Sequence, residues 1–195
     1  AIAHNIVVPG FRIVGASAGD RIGTTMLANL DLNDDSVADI VISQTLLTYV
    51  VFGLKTSAHS VYRDVDLSVY SNPTTVLQIK NLVSHGNCAY TLAAVPDING
   101  DGVNDLAIGC SNTRHHTGPH TGSVTVVYGH AECDPFMSHV DLNAFKVGVE
   151  GYRVYGPQEH ANFGQSVTNG GDLNGDGIIT ATELAAAALA LSACS

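Results

Sequence analysis

An all-β fold, built from repeated units of four short antiparallel strands, is what this 195-residue sequence predicts. Three observations carry the prediction: an internal repeat, short β-prone segments within each copy, and Gly, Asn, Pro and Ser between them. The repeat aligns on Asp31, Asp97 and Asp172, where "DLNDDSVAD", "DINGDGVND" and "DLNGDGIIT" share the frame D-x-N-x-D. The copies are spaced by 66 and then 75 residues. Twenty-one residues ahead of each Asp begins "GFRIVG", "VLQIKN" or "GYRVYG", and these segments read as the first strand of each unit. The second strand leads into the acidic loop ("TTMLANL", "QSVTNGG") and the third leaves it ("ADIVIS", "NDLAIG"). The fourth is "TYVVFG" or "VTVVYG", followed in both copies by a matching "DVDLSVY" or "HVDLNAF".

Val, Ile and Tyr dominate these segments, as a pleated and half-buried surface requires. Four short strands per repeat of this length is the signature of β-propeller blades, with a sandwich of two hairpin-rich halves as the competing architecture. Residues 1–179 form the repeat region, with blade units at about 10–75, 76–150 and an incomplete 151–179. After the third loop comes "ATELAAAALALSACS", rich in good helix formers, so residues 180–195 are expected to be a short C-terminal helical tail. Two and a half units make a partial propeller. The chain reads as a mature product or an excerpt of something longer.

Composition narrows the function classes. Hydrophobic residues make up 45% of the chain, enough for a buried core, and the formal net charge is −10. No basic cluster is present to track a phosphate backbone, so nucleic acid is a poor partner and cations are good ones. No run is long and apolar enough for a membrane span. Cys88, Cys110, Cys133 and Cys194 form no C-x-x-C pair. Cys110 and Cys133 flank the "VTVVYG" strand and could pair, while buried free thiols fit equally well.

The acidic loops are the candidate functional residues. A hard cation such as Ca²⁺ takes six to eight oxygens, so a short loop must turn several side-chain oxygens and a carbonyl inward. In the second copy Asp97, Asn99, Asp101 and Asp105 supply oxygens at alternating spacing, with the Val103 carbonyl between them. Gly102 suits the left-handed backbone such a loop needs. The first copy offers Asp31, Asn33, Asp35, the Val37 carbonyl and Asp39, but Ser36 replaces that Gly, so weaker binding is expected. The third offers Asp172, Asn174, Asp176 and the Ile178 carbonyl. It continues into an EF-hand-type register in which Glu183 is the twelfth residue. A metal-free turn rich in Asp and Asn is the alternative reading of all three.

At these residues the sequence resembles a known family. The D-x-N-x-D-G-x-x-D loop, with a D-L-x-I-G strand and a G-x-V-x-V-x-Y-G strand after it, resembles the FG-GAP repeat of integrin α-subunit propellers. Cys88-Ala89 and Ile22-Gly23 stand where that family has Phe-Gly, and Phe163-Gly164 matches it. The resemblance implies Ca²⁺ held between two strands of a blade, an extracellular or cell-surface location, and a non-enzymatic role in protein interaction or adhesion. GPI-specific phospholipase D carries similar repeats, so the propeller part of a secreted hydrolase is a second implication. Self-assembly through open blades is a third, because unpaired edge strands invite association. "RHHTGPH" (residues 114–120) gathers three His in what reads as an exposed turn, and no G-x-S-x-G or H-E-x-x-H motif is present. Tyr49, Phe52, Tyr128, Tyr152 and Phe163 are expected in the core.

Overall fold

The computed structural model describes residues 11–44, 46–53, 64–69, 75–82, 88–115, 118–131 and 139–169. Its strands, in chain order, are β1 (Ile13–Val14), β2 (Thr25–Leu30), β3 (Asp39–Ser43), β4 (Leu47–Val51), β5 (Val65–Asp66), β6 (Val76–Lys80), β7 (Cys88–Val95), β8 (Asp105–Cys110), β9 (Ser123–Val127), β10 (His139–Asp141) and β11 (Gly151–Tyr155). The described part is all-β apart from a single 3-10 turn at Leu67–Val69. Among these residues no helix is long and apolar enough to cross a membrane. The expected C-terminal helix lies outside the described residues.

Two antiparallel meanders express the repeat. The first sheet runs β2-β3-β4-β6 and the second β7-β8-β9-β11. Each contains three strands of one sequence unit and the first strand of the next: "VLQIK" closes the first sheet and "GYRVY" closes the second. The first strand of the first unit, β1, is accordingly in neither meander and pairs with β5 in a two-stranded sheet.

The corresponding segments "DVDLSVY" and "HVDLNAF" have one structural role. Each adds a parallel strand to the first strand of its own unit, with Ile13 opposite Val65 in one case and Ile79 opposite Val140 in the other. The first sheet therefore has five strands, with β10 on its outer edge, rather than the four antiparallel strands read from the sequence. Parallel pairing demands a long crossover. Here β10 leaves the second sheet after β9 and returns to the first, lacing the two together.

Hydrophobic packing follows from strands that are apolar on both faces. All six residues of β8 and all five of β9 are buried, because these central strands touch a core on either side. Between the two sheets, Leu30, Val41, Val50, Leu77 and Ile79 meet Cys88, Leu106, Ile108 and Val127. On the far face of the second sheet, Val95, Val124 and Val126 are covered by Phe163 and Val167 from the third unit. On the far face of the first, Ile42, Tyr49 and Val51 meet Leu67, with Ile13 and Ile22 packed alongside. Ile22, Cys88 and Phe163, one repeat apart, thus occupy equivalent interfaces. Tyr49, Phe52 and Phe163 are buried as expected, while Tyr128 and Tyr152 are half-buried.

The residue following each of these three is left-handed: Gly23 at φ 88°, Ala89 at φ 57° and Gly164 at φ 83°. That conformation explains why Gly recurs there and marks Ala89 as the costly variant. The inner strands are also stitched across sheets. Thr25 Oγ1 donates to the Tyr90 carbonyl at 2.8 Å, and Ser43 Oγ donates to the Ala89 carbonyl at 2.7 Å. Thr91, one repeat after Thr25, accepts the Val167 amide at 2.9 Å.

A disulfide joins Cys88 to Cys110, which face each other across β7 and β8. It replaces both sequence expectations for Cys110, a bond to Cys133 or a free thiol. Cys133 and Cys194 lie outside the described residues. The bond sits at the open end of the hairpin whose tip is the second acidic loop, and its sulfurs fill core volume where the other copies have Ile22 and Phe163.

Candidate metal centre

The first two acidic loops are the turns of the β2–β3 and β7–β8 hairpins, and their hydrogen bonds match except for one extra amide, that of Gly100, on Asp97. Asp31 accepts the amides of Asp35 (3.1 Å) and Ser36 (2.9 Å), and Asp97 accepts those of Gly100 (2.7 Å), Asp101 (3.1 Å) and Gly102 (2.7 Å). Asp35 accepts the Val37 amide and Asp101 the Val103 amide, at 2.7 and 2.8 Å. The side-chain amide of Asn33 donates to Asp35 and that of Asn99 to Asp101. Short acidic side chains turned onto amides a few residues ahead are what tightens such loops.

The last Asp of each loop does something the sequence pattern does not reveal. Asp39 accepts the Leu32 amide at 2.8 Å and the Gly53 amide at 2.9 Å. Asp105 accepts the Ile98 amide at 2.8 Å and the Gly129 amide at 2.9 Å. Both carboxylates are 0% exposed. Each ties the loop entrance to the end of the third strand of its own sheet. The glycines closing "TYVVFG" and "VTVVYG" were the available signal, since both align with the acidic frame. The first loop also reaches the second sheet, because the Leu32 carbonyl accepts the amide of His130, the residue after Gly129, at 3.0 Å.

Two backbone positions per loop are left-handed. In the second loop they are Gly100 (φ 82°) and Gly102 (φ 92°); in the first, Asp34 (φ 56°) and Ser36 (φ 65°). The strain expected at Ser36 is therefore present. Ser36→Gly is expected to raise the unfolding free energy by about 1 kcal/mol, read as a higher urea midpoint at unchanged m-value.

Burial raises the pKa of both Asp39 and Asp105 to about 6, with the neighbouring carboxylates adding to the shift and the donated amides opposing it. The neighbours are Asp31 and Asp35 for the first, Asp101 and Asp97 for the second. A carboxyl raised on folding contributes stability that is complete below its unfolded pKa near 4 and is lost as pH rises past about 6. At neutral pH each loop thus carries a buried negative charge that lacks a cationic partner among the described residues.

Of the sequence-predicted ligands, the structure gathers Asp31, Asn33, Asp35, Val37 and Asp39 on one loop and Asp97, Asn99, Asp101, Val103 and Asp105 on the other. Asp172, Asn174, Asp176, Ile178 and Glu183 lie outside the described residues. Among the described residues no three His, Cys, Asp or Glu side chains converge closely enough to hold a metal ion, because the carboxylates are turned onto main-chain amides. Chemically the donor set fits a hard cation: all oxygens, several charged, in a short loop with a buried carboxylate whose charge is opposed by its neighbours.

Comparison with known proteins finds two likenesses. Residues 89–127 match the model of the FG-GAP repeat, a stretch that contains β8, β9, most of β7 and the entire second acidic loop. The chain is also similar to a particular protein, integrin alpha-PS5 of Drosophila melanogaster, at 27% identity over 165 residues. That alignment covers 84% of this chain and 15% of the fly protein, so the chain spans only a small part of its relative's length.

Proposed function

We propose that this chain is an integrin-α-like repeat module whose acidic hairpins bind Ca²⁺ and which takes part, outside the cell, in protein interaction or adhesion. The observation that carries the reading is the matched pair of hairpin loops, each built around a fully buried carboxylate. Asp31, Asn33, Asp35, the Val37 carbonyl and Asp39 would hold one ion, and Asp97, Asn99, Asp101, the Val103 carbonyl and Asp105 another. A bound Ca²⁺ supplies positive charge that offsets the crowded carboxylates. The role of these residues is to stiffen the hairpins and, through them, the loops at the opposite end of each sheet. No step of catalysis is assigned to them.

The Cys88–Cys110 disulfide supports an oxidising, extracellular setting. The similarity to an integrin α subunit supports a protein partner. Calorimetric titration with CaCl₂ tests the cation assignment. Binding in the range typical of extracellular modules, a Kd of about 10⁻⁴ to 10⁻³ M, is expected. The Asp97→Asn/Asp101→Asn variant should lose the second-loop site and keep the first. Absence of binding heat in the parent chain would overturn the reading.

A further inference from the structure

We propose that a cleft between the β8–β9 connection and the segment after β11 is an oxyanion-binding pocket, with Arg114 and His120 as the residues that contact the ligand. The proposal stands apart from the calcium reading, since the cleft is at the other end of the second sheet. Strand β8 starts at Asp105 beside the acidic loop and ends at Cys110, and Tyr155, ending β11, lies opposite Ser123, where β9 begins.

Asn112, Arg114, Pro119 and His120 line a cleft of about 170 Å³, room for a carboxylate or a phosphate rather than a large ligand. Its walls are built. His120 Nδ1 donates to Asn112 Oδ1 at 3.1 Å, which orients the ring and leaves Nε2 with no hydrogen bond among the described residues. The His120 ring stacks on His160, centroids 5.4 Å apart. Across the two segments, the His160 amide donates to the Pro119 carbonyl at 3.1 Å and the Asn162 amide to the His120 carbonyl at 3.0 Å.

These bonds hold three non-glycine residues in left-handed conformations: His120 at φ 52°, His160 at φ 56° and Asn162 at φ 50°. Such strain persists only where the surroundings over-determine it, and it concentrates at ligand-binding positions. Arg114 is exposed and has no acidic partner among the described residues. On the facing segment, Glu159 Oε1 lies 3.4 Å from His160 Nε2. In a chain of net charge −10, the Arg114 guanidinium puts a fixed positive charge on the wall of this cleft. The planar guanidinium fork suits bidentate contact with an oxyanion.

The test is NMR titration of the full chain with sodium acetate and, separately, sodium phosphate, at ionic strength held constant with chloride. The His120 ring and Arg114 Nε resonances report binding. Saturable shifts with a millimolar Kd are expected for at least one probe. Arg114→Gln and His120→Asn, the latter compatible with a left-handed backbone, should each weaken binding by roughly tenfold. A preference for acetate identifies an acidic side chain as the natural group, and a preference for phosphate identifies a phosphorylated one. Absence of saturable shifts with both probes would overturn the proposal. So would shifts that persist undiminished in both variants, since the anion would then be bound elsewhere.

Discussion

Replacing Asp105 by alanine is expected to lower the unfolding free energy by roughly 3 kcal/mol, and Asp39→Ala by a similar amount. The cause is the fate of two main-chain amides. Asp105 accepts from Ile98 and Gly129, and Asp39 from Leu32 and Gly53, in places where the carboxylate itself is 0% exposed. A buried N–H left without an acceptor costs about 1 to 3 kcal/mol, and two are stranded at once. Removing a buried charge returns part of that cost, which is why the figure is not larger. Asp97→Ala, by contrast, frees three amides in an exposed part of the loop where water replaces the carboxylate. Its effect should be near 1 kcal/mol. Urea unfolding of the three variants checks the order. Equal losses for Asp97 and Asp105 would show that the buried clamp carries no special weight.

The second large effect is expected from the disulfide. Cys88 and Cys110 are 22 residues apart in sequence, and crosslinking a loop of that size restricts the unfolded chain by about 3 kcal/mol. The Cys88→Ala/Cys110→Ala variant should lose that amount, together with some packing in the core between the sheets. Reducing agent should lower the melting temperature of the parent chain and leave that of the double variant unchanged. If reduction shifted both equally, the stabilisation would lie elsewhere. Because the bond closes the hairpin at the end opposite the second acidic loop, its loss also frees the strands that aim that loop.

Much of this fold was legible because the repeat is written in residues with local geometric duties. The D-x-N-x-D frame located both hairpin turns, and the Val- and Ile-rich segments located the strands. What the repeat could not reveal is where one sheet ends. "VLQIK" begins a sequence unit yet completes the preceding sheet, and sequence periodicity alone carries no phase. The parallel strands β5 and β10 were visible only as matching segments, since nothing in "VDL" states which edge it joins. Cys88 looked like a departure from the repeat; the disulfide to Cys110 shows how the position keeps its core volume. At the candidate site, Asp39 and Asp105 were found as oxygen donors from spacing. Their hold on Gly53 and Gly129 is a long-range contact that spacing does not encode.

Asp64 and Asp66, on the surface, have pKa values lowered by their hydrogen bonds to Arg12 and Ser68 respectively. The stability they contribute is present above the ordinary carboxylate pKa and is lost only as pH falls below about 4. Between pH 4 and 7 the buried pair, Asp39 and Asp105, therefore dominates the carboxylate contribution among the described residues. Thermal unfolding across that range, in EDTA and in millimolar CaCl₂, tests the calcium-loop reading most directly. In EDTA stability should fall as pH rises through about 6, as those two carboxyls ionise in their buried sites. With CaCl₂ the fall should be reversed, because the ionised loops are the form that binds. Coincident EDTA and CaCl₂ curves at every pH would contradict a calcium role for these hairpins.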